Sequence, residues 1–310
     1  MSVRFHAPDP SFEAELAELR TLVERQLDAM TPGEPSPDRL AQAMRYCLLA
    51  PAKRARALLS VLSAVHCGAE RDAALKSACA LEMVHASSLI LDDLPAMDDA
   101  AVRRGRNTCH RAFGEPTAIL AAIALMNRAY GLVAGDESLS SDRRVQIVAI
   151  LAKSIGTDGL TGGQEGDLNG VAMTGAAGVE WIHARKTGAL FAAATEIGAV
   201  VAGGVDHRAA MHAFGMNLGL AFQGYDDLLD ARAASEVVGK DTGRDGEKAT
   251  LIKALGFDAA LAQADAQMSE ALRCVPELEA DQGALARYVS GLAVMMRGPL
   301  NVDAASIANA

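Results

Sequence analysis

Apolar residues recur at three- and four-residue intervals along almost the whole 310-residue chain, and no stretch of any length alternates apolar with polar. That periodicity leaves helix as the regular structure available. Residues 11–30 show it first and break at TPGEPSPD; a second helix is expected to start at an Asp38 N-cap and stop before Pro51. Further helical patterns cover 53–66, 71–94, 115–133, 141–155, 179–203, 206–230, 248–254, 257–274 and 280–297. Between them lie GAERD at 68–72, GDESLSSD at 135–142, GTDGLTGG at 156–163 and GKDTGRDG at 239–246, each rich in turn formers. Composition agrees: aromatics make up 4% of a chain that is half apolar, while the abundant Ala, Leu and Met lose little rotamer freedom in a helix. No composition shift marks a boundary. The expected fold is all-α, one domain over residues 1–310, with 1–10 as a flexible tail.

A formal net charge of −10 argues against a nucleic-acid partner, which would call for a basic face. The cysteines (Cys47, Cys67, Cys79, Cys109 and Cys274) are odd in number and form no C-x-x-C pair, so they read as reduced thiols, mostly core filler. The opening MSVRFHAPDPSFEAEL lacks the apolar run of a signal peptide. No stretch is expected to span a membrane; the nearest candidate, GALFAAATEIGAVVAGGV, carries Glu196 and reads as a buried helix. A cytoplasmic chain is expected.

One segment is costly on its face. LDDLPAMDDAAVRRGR, residues 91–106, places Asp92, Asp93, Asp98 and Asp99 just ahead of Arg103, Arg104 and Arg106. FQGYDDLLD, residues 222–230, repeats the acidic theme with Asp226, Asp227 and Asp230. On a helix Asp226 and Asp230 stack about 6 Å apart, which invites a hard divalent cation. Asp92 and Asp98 do not fit one straight helix, because six residues turn it roughly 240°; Pro95 lets the chain loop back. Either acidic pair alone reads equally well as a solvated helix end. The basic residues add the second half of the argument: Lys53, Arg54 and Arg56 in PAKRAR, Lys186 in RKTG, and Lys240 and Lys248 in VGKDTGRDGEKAT. Mg²⁺ is commonly held by one or two carboxylates plus phosphate oxygens, and arginines suit bidentate phosphate contacts. A diphosphate bridged through Mg²⁺ is the ligand this charge pattern points to.

These residues resemble the trans-isoprenyl diphosphate synthases, the polyprenyl synthetase family, and within it the short-chain bacterial enzymes that make geranylgeranyl diphosphate for carotenoids. The family's DDxxxxD…RRG matches Asp92, Asp93, Asp98, Arg103, Arg104 and Gly105; its second motif matches Gln223, Asp226, Asp227 and Asp230. GQxxDL matches Gly163, Gln164, Asp167 and Leu168, the KT pair matches Lys186 and Thr187, and a later lysine matches Lys240. The likeness runs from about residue 40 to 256. It departs at PAKRARA, which lacks the glycines and closing proline of GGKRxRP, and at Ala122 and Ile123, where many members carry a GD pair.

The resemblance implies an isoprenoid synthase fold, ten or more helices around a central cavity, working as a homodimer. It implies two or three Mg²⁺ ions held by Asp92, Asp98, Asp226 and Asp230. Asp93, Asp227, Lys186, Thr187, Gln223 and Lys240 complete its catalytic set. It further implies an allylic diphosphate near Arg103 and isopentenyl diphosphate on Lys53, Arg54, Arg56, His85 and Arg104. Ser87 and Ser88, about one helical turn before Asp92, imply a twenty-carbon product, since an aromatic residue at the first position marks fifteen-carbon synthases. The farnesyl synthase reading stays open as the alternative, and Ser87 reads equally as a core hydroxyl bonded to its own helix. Two rivals differ in kind: a di-iron bundle using Glu82-x-x-His85 and Glu180-x-x-His183, and a non-catalytic regulatory subunit, which would be expected to have lost an aspartate cluster.

Overall fold

The computed structural model describes residues 10–31, 38–204, 206–237, 250–275, 278 and 283–301. Its chain divides into two compact units, one of residues 13–155 and 193–208, the other of 1–12, 156–192 and 209–310. The expected tail lies outside the described residues except for Pro10, which opens the first helix.

The first unit takes most of α1 (Pro10–Ala29), then α2 (Arg39–Leu48), α3 (Ala55–His66), α4 (Leu75–Asp92, led in by a 3-10 turn at Arg71–Ala74), α5 (Cys109–Phe113), α6 (Glu115–Ala134) and α7 (Ser141–Ile155), with most of α10 (Ala189–Ala202). Asp38 caps α2 as expected, its carboxylate accepting the Leu40 N–H at 2.8 Å. At the centre α4 packs against α3 and α6. Small buried residues of α6 (Ala118, Ala121, Ala122) let the two helices approach closely.

The second unit holds α8 (Leu160–Asn169), α9 (Gly175–His183), a π turn (Ala184–Gly188), most of α11 (Arg208–Val237), α12 (Leu251–Leu255), α13 (Phe257–Cys274) and α14 (Ala284–Arg297), the last followed by a 3-10 turn. Tyr225 anchors α11 to α13, its hydroxyl donating to Asp265 at 2.7 Å.

Over the described residues the helical expectation holds, with differences, among them the short α5 at Cys109–Phe113, which was not expected; the break expected at 239–246 lies outside the described residues. The glycine-rich stretch expected to be a break from 156 to 163 already contains the first residues of α8. Gly163 is there because a Cβ would come within 2.5 Å of the Lys186 backbone nitrogen, so it serves packing rather than turning. The single helix expected over 179–203 is broken into α9, π turn and α10. The helix expected to end at 230 continues to Val237, so the second acidic motif lies inside a helix rather than at its end. Finally, Val102–Arg103 pairs antiparallel with Arg106–Asn107, a hairpin too short to show alternation.

Among the described residues two segments are long and apolar enough to cross a membrane by length and composition alone, Arg71–Asp92 and Glu115–Ala134; 72% of the first and 33% of the second is buried inside the protein. All five cysteines are free, and Cys79 and Cys109 are the buried ones, so only these two are core filler.

Candidate active site

The first acidic motif forms where α4 stops. Asp92 is the last helical residue and Asp93 its C-cap. Beyond Pro95 the chain folds back, so that the Asp98 N–H donates to the Asp92 carbonyl at 2.9 Å and the Asp99 N–H to that of Leu94 at 3.1 Å. Asp92 and Asp93 are 9% and 3% exposed. Buried carboxylates at a helix C-terminus meet the negative end of the helix dipole, so this spot draws cations. One is built in: Arg103 grips Asp93, Nε lying 2.7 and 2.9 Å from its two oxygens and Nη2 2.7 Å from Oδ1. Burial alone would lower the Arg103 pKa, but Asp93 raises it on balance, and the guanidinium stays charged. Arg103 is delivered by the hairpin, whose turn residues Arg104 and Gly105 have φ of 53° and 73°. A turn with two positive φ values needs a glycine, and nothing lies within 4 Å of where a Gly105 Cβ would stand, so the requirement there is conformational.

Behind this hairpin lies a small cavity that opens to solvent. Arg54, Arg103, Arg104 and Arg106 give it a cationic wall, with Glu82 and Asp93 among them and the His85 ring alongside, and Leu89 and Ile90 give it an apolar one. His85 meets Arg56, with Nη1 3.2 Å from Nε2. Burial, then Arg56, Arg104, Arg103 and Arg54, hold the His85 pKa well below the usual 6.5. The ring is neutral near pH 7 and accepts from Arg56. Because the unfolded chain takes up this proton first, the stability that neutral His85 confers is whole above about pH 7.5 and is lost as pH falls through 6.5 towards the folded-state pKa. Urea unfolding at pH 7.5 and 5.5 should show the wild type losing on the order of 1 kcal/mol more than His85→Gln across that interval.

Arg54 is 4% exposed and sits at the start of α3 with φ 52°. It donates to the Ala50 carbonyl at 3.1 Å and pairs with Glu82 at 3.6 Å and Glu24 at 3.5 Å. Lys53 is exposed.

In the second unit, a π turn carries Lys186 and Thr187, and such single-turn bulges widen a helix and re-aim its side chains. Lys186 Nζ pairs with Asp167 Oδ2 at 2.6 Å. The Thr187 hydroxyl donates to Gln223 Oε1 at 2.7 Å, Gln223 Nε2 donates to Asp227 Oδ1 at 3.0 Å, and His183 Nε2 stands 3.5 Å from Asp227 Oδ2. Burial lowers the His183 pKa against the opposing pull of Asp227. On α11 the half-buried Asp226 and the exposed Asp230 follow one turn apart. Lys186, Thr187, Gln223 and Asp227 are thus brought together; Lys240 lies outside the described residues, as does Lys248.

Among the described residues no three or more His, Cys, Asp or Glu side chains gather as a metal cage. The donors that Asp92, Asp98, Asp226 and Asp230 present are carboxylate oxygens taken one or two at a time, a set that suits a hard ion completed by phosphate oxygens. The di-iron pattern loses its ligands to other tasks. Glu82 and His85 are engaged with Arg54 and Arg56, Glu180 accepts from Gln263, and His183 faces Asp227.

Ser87 is fully buried, and its hydroxyl donates across to the Ala122 carbonyl of α6 at 2.9 Å; it is Ser88 that bonds to its own helix, at His85. Three partners went unassigned in the sequence: Glu82, Asp167 and His183. Asp167 stood inside GQxxDL, and Glu82 and His183 inside the Glu-x-x-His spacings, but nothing local named the groups they meet.

Helices throughout, an acidic helix end and a cationic pocket with an apolar wall define the class: a helical protein built for a polyanion that carries an apolar group. The family model described as "Polyprenyl synthetase" matches residues 37–288, and the chain belongs to that family. A geranylgeranyl diphosphate synthase from Pantoea ananas is 42% identical over 238 residues, covering 76% of this chain and 78% of the relative. Among solved structures, an FPP/GFPP synthase from Zymomonas mobilis superposes with a TM-score of 0.79 at 31% identity, covering 91% of this chain and 97% of that one. A geranyltransferase from Helicobacter pylori, complexed with magnesium and isoprenyl diphosphate, gives 0.79 at 27% identity, covering 94% and 100%.

Proposed function

We propose that this protein is a Mg²⁺-dependent trans-prenyltransferase that condenses isopentenyl diphosphate head-to-tail with an allylic diphosphate to give geranylgeranyl diphosphate. The observation that carries this is the end of α4, where buried Asp92 and Asp93 stand beside an arginine hairpin lining a half-cationic, half-apolar cavity. The 42% identity to a geranylgeranyl diphosphate synthase supports the twenty-carbon product. The family match at 37–288 reaches into both units, so we read them as parts of one catalytic domain.

Asp92, Asp98, Asp226 and Asp230 are the residues that would hold Mg²⁺, two or three ions in all, and the ions would supply Lewis-acid stabilisation of the departing diphosphate. Arg103, Lys186 and Lys240 add fixed positive charge to the oxygens of the allylic diphosphate. Lys53, Arg56, His85 and Arg104, with Arg54 behind them, orient the isopentenyl diphosphate. As the allylic C–O bond breaks, the double bond of isopentenyl diphosphate attacks the allylic cation. The Thr187 hydroxyl donates its hydrogen bond to Gln223, which leaves the Thr187 oxygen lone pairs available to a passing positive charge. The final proton leaves to the released diphosphate, so no protein base is required.

Ile119, Leu120 and Ile123 of α6 are 40%, 54% and 51% exposed, an apolar stripe that fits a homodimer contact. A cytoplasmic location follows from the same reading. The test is incubation with isopentenyl diphosphate, Mg²⁺ and each allylic primer in turn, with products sized by chromatography and the enzyme sedimented alongside. A twenty-carbon product and a particle of twice 32.3 kDa are expected; no elongation with any primer would overturn the reading.

A further inference from the structure

We infer that Glu82 is a positioning residue for the isopentenyl diphosphate site, shaping the Lys53–Arg56 loop from beneath without touching substrate; this rests on the prenyl-transfer reading above. Glu82 is 4% exposed and lines the cavity beside Arg54 and His85, but an ionised carboxylate has no hydrogen to offer a diphosphate and repels it, so it acts through the groups it holds. Its two oxygens do separate tasks. Oε1 accepts the Ala57 N–H at 3.2 Å, one of the first-turn donors of α3 that has no partner within its own helix. Oε2 lies 3.6 Å from Arg54 Nη1. Arg54 is held in the left-handed region, which a side-chain-bearing residue enters only when its surroundings impose it. The buried carboxylate is part of that imposition, because it neutralises the guanidinium that the backbone geometry turns inward.

The consequence reaches the substrate loop through the chain itself. Lys53 precedes Arg54 and Arg56 follows two residues later, so the turn at Arg54 sets the direction of both. One turn along α4 from Glu82, His85 receives Arg56. Thus Glu82 and His85, three residues apart on a single helix face, fix the start of α3 at two points. Loss of the Glu82 charge leaves Arg54 held by Glu24 and the Ala50 carbonyl alone, so the guanidinium shifts towards Glu24, and Arg56 and Lys53 move with it.

The test is calorimetric titration of isopentenyl diphosphate alone, without primer, into the wild type, Glu82→Gln and Glu82→Asp, with an allylic diphosphate and Mg²⁺ titrated in parallel. Glu82→Gln should weaken isopentenyl diphosphate binding at least tenfold while allylic diphosphate binding stays within twofold. Glu82→Asp keeps the charge but draws it back, and should fall between; it carries the test if the glutamine variant does not fold. In steady state the KM for isopentenyl diphosphate should rise with kcat little changed. Equal losses for both substrates would indicate a merely structural role and overturn the inference, as would wild-type affinity in either folded variant. A wild type that binds no isopentenyl diphosphate would instead sink the functional reading and this inference with it.

Discussion

Asp92→Ala should lower the rate of prenyl transfer by about a thousandfold while leaving the fold intact, and Asp226→Ala should do the same. The magnitude is that of removing one preorganised electrostatic contact to a transition state in which charge is separating. The expectation about stability comes from the structure. Asp92 is a nearly buried carboxylate at the C-terminal end of α4, where the helix dipole disfavours it. The helix dipole disfavours the anion while the Arg103 charge attracts it, so the two oppose each other and its removal should move the melting temperature little. Asp93→Ala is the contrast: it deprives the partly buried Arg103 of its bidentate partner, so activity and stability should fall together. Rates from radiolabelled isopentenyl diphosphate incorporation and melting by circular dichroism separate the two cases. Excess chelator should abolish turnover in the wild type and added Mg²⁺ restore it. An Asp92→Ala enzyme within tenfold of wild-type activity would remove the first acidic motif from the mechanism.

What the sequence made legible is what local chemistry decides. Asp38 announced the start of α2 because its side chain bonds two residues along its own chain, and Pro95 announced the return of Asp98 because a ring and a missing N–H act on their immediate neighbours. The acidic and basic motifs were visible because crowding like charges has no cheap structural use. The π turn was not. It forms where α8 presses on the Lys186 backbone through Gly163, and residues 163 and 186 are neighbours only in space. The same holds for Arg54: its charge was plain, but the Glu82 it pairs with lies 28 residues away on another helix. Even the Glu-x-x-His spacing reported a shared helix face correctly and misled only about what that face meets.

Ser87→Phe should change the product from mainly twenty carbons to mainly fifteen, a shift in product ratio on the order of a hundredfold, or ~2.7 kcal/mol between competing steps. Ser87 lies on the helix that ends in Asp92, where α4 meets α6, and is fully enclosed, its hydroxyl spanning to the Ala122 carbonyl. Opposite it stands Ala122 of α6, itself fully buried, as are Ala118 and Ala121 on the same helix. The added phenyl group has to take its volume from whatever space adjoins the α4–α6 contact, and a growing apolar chain running down from Asp92 is expected to need that space. Overpacking of this kind costs about 1–3 kcal/mol of stability, so the variant should also melt lower. Ser87→Ala removes the hydroxyl without adding bulk. It should lose about 1 kcal/mol of stability and keep the twenty-carbon product. Product sizing of the three proteins therefore separates volume from hydrogen bonding. An unchanged profile in Ser87→Phe, with the expected drop in melting temperature, would mean that the ring is absorbed between the helices and that the product is measured off elsewhere.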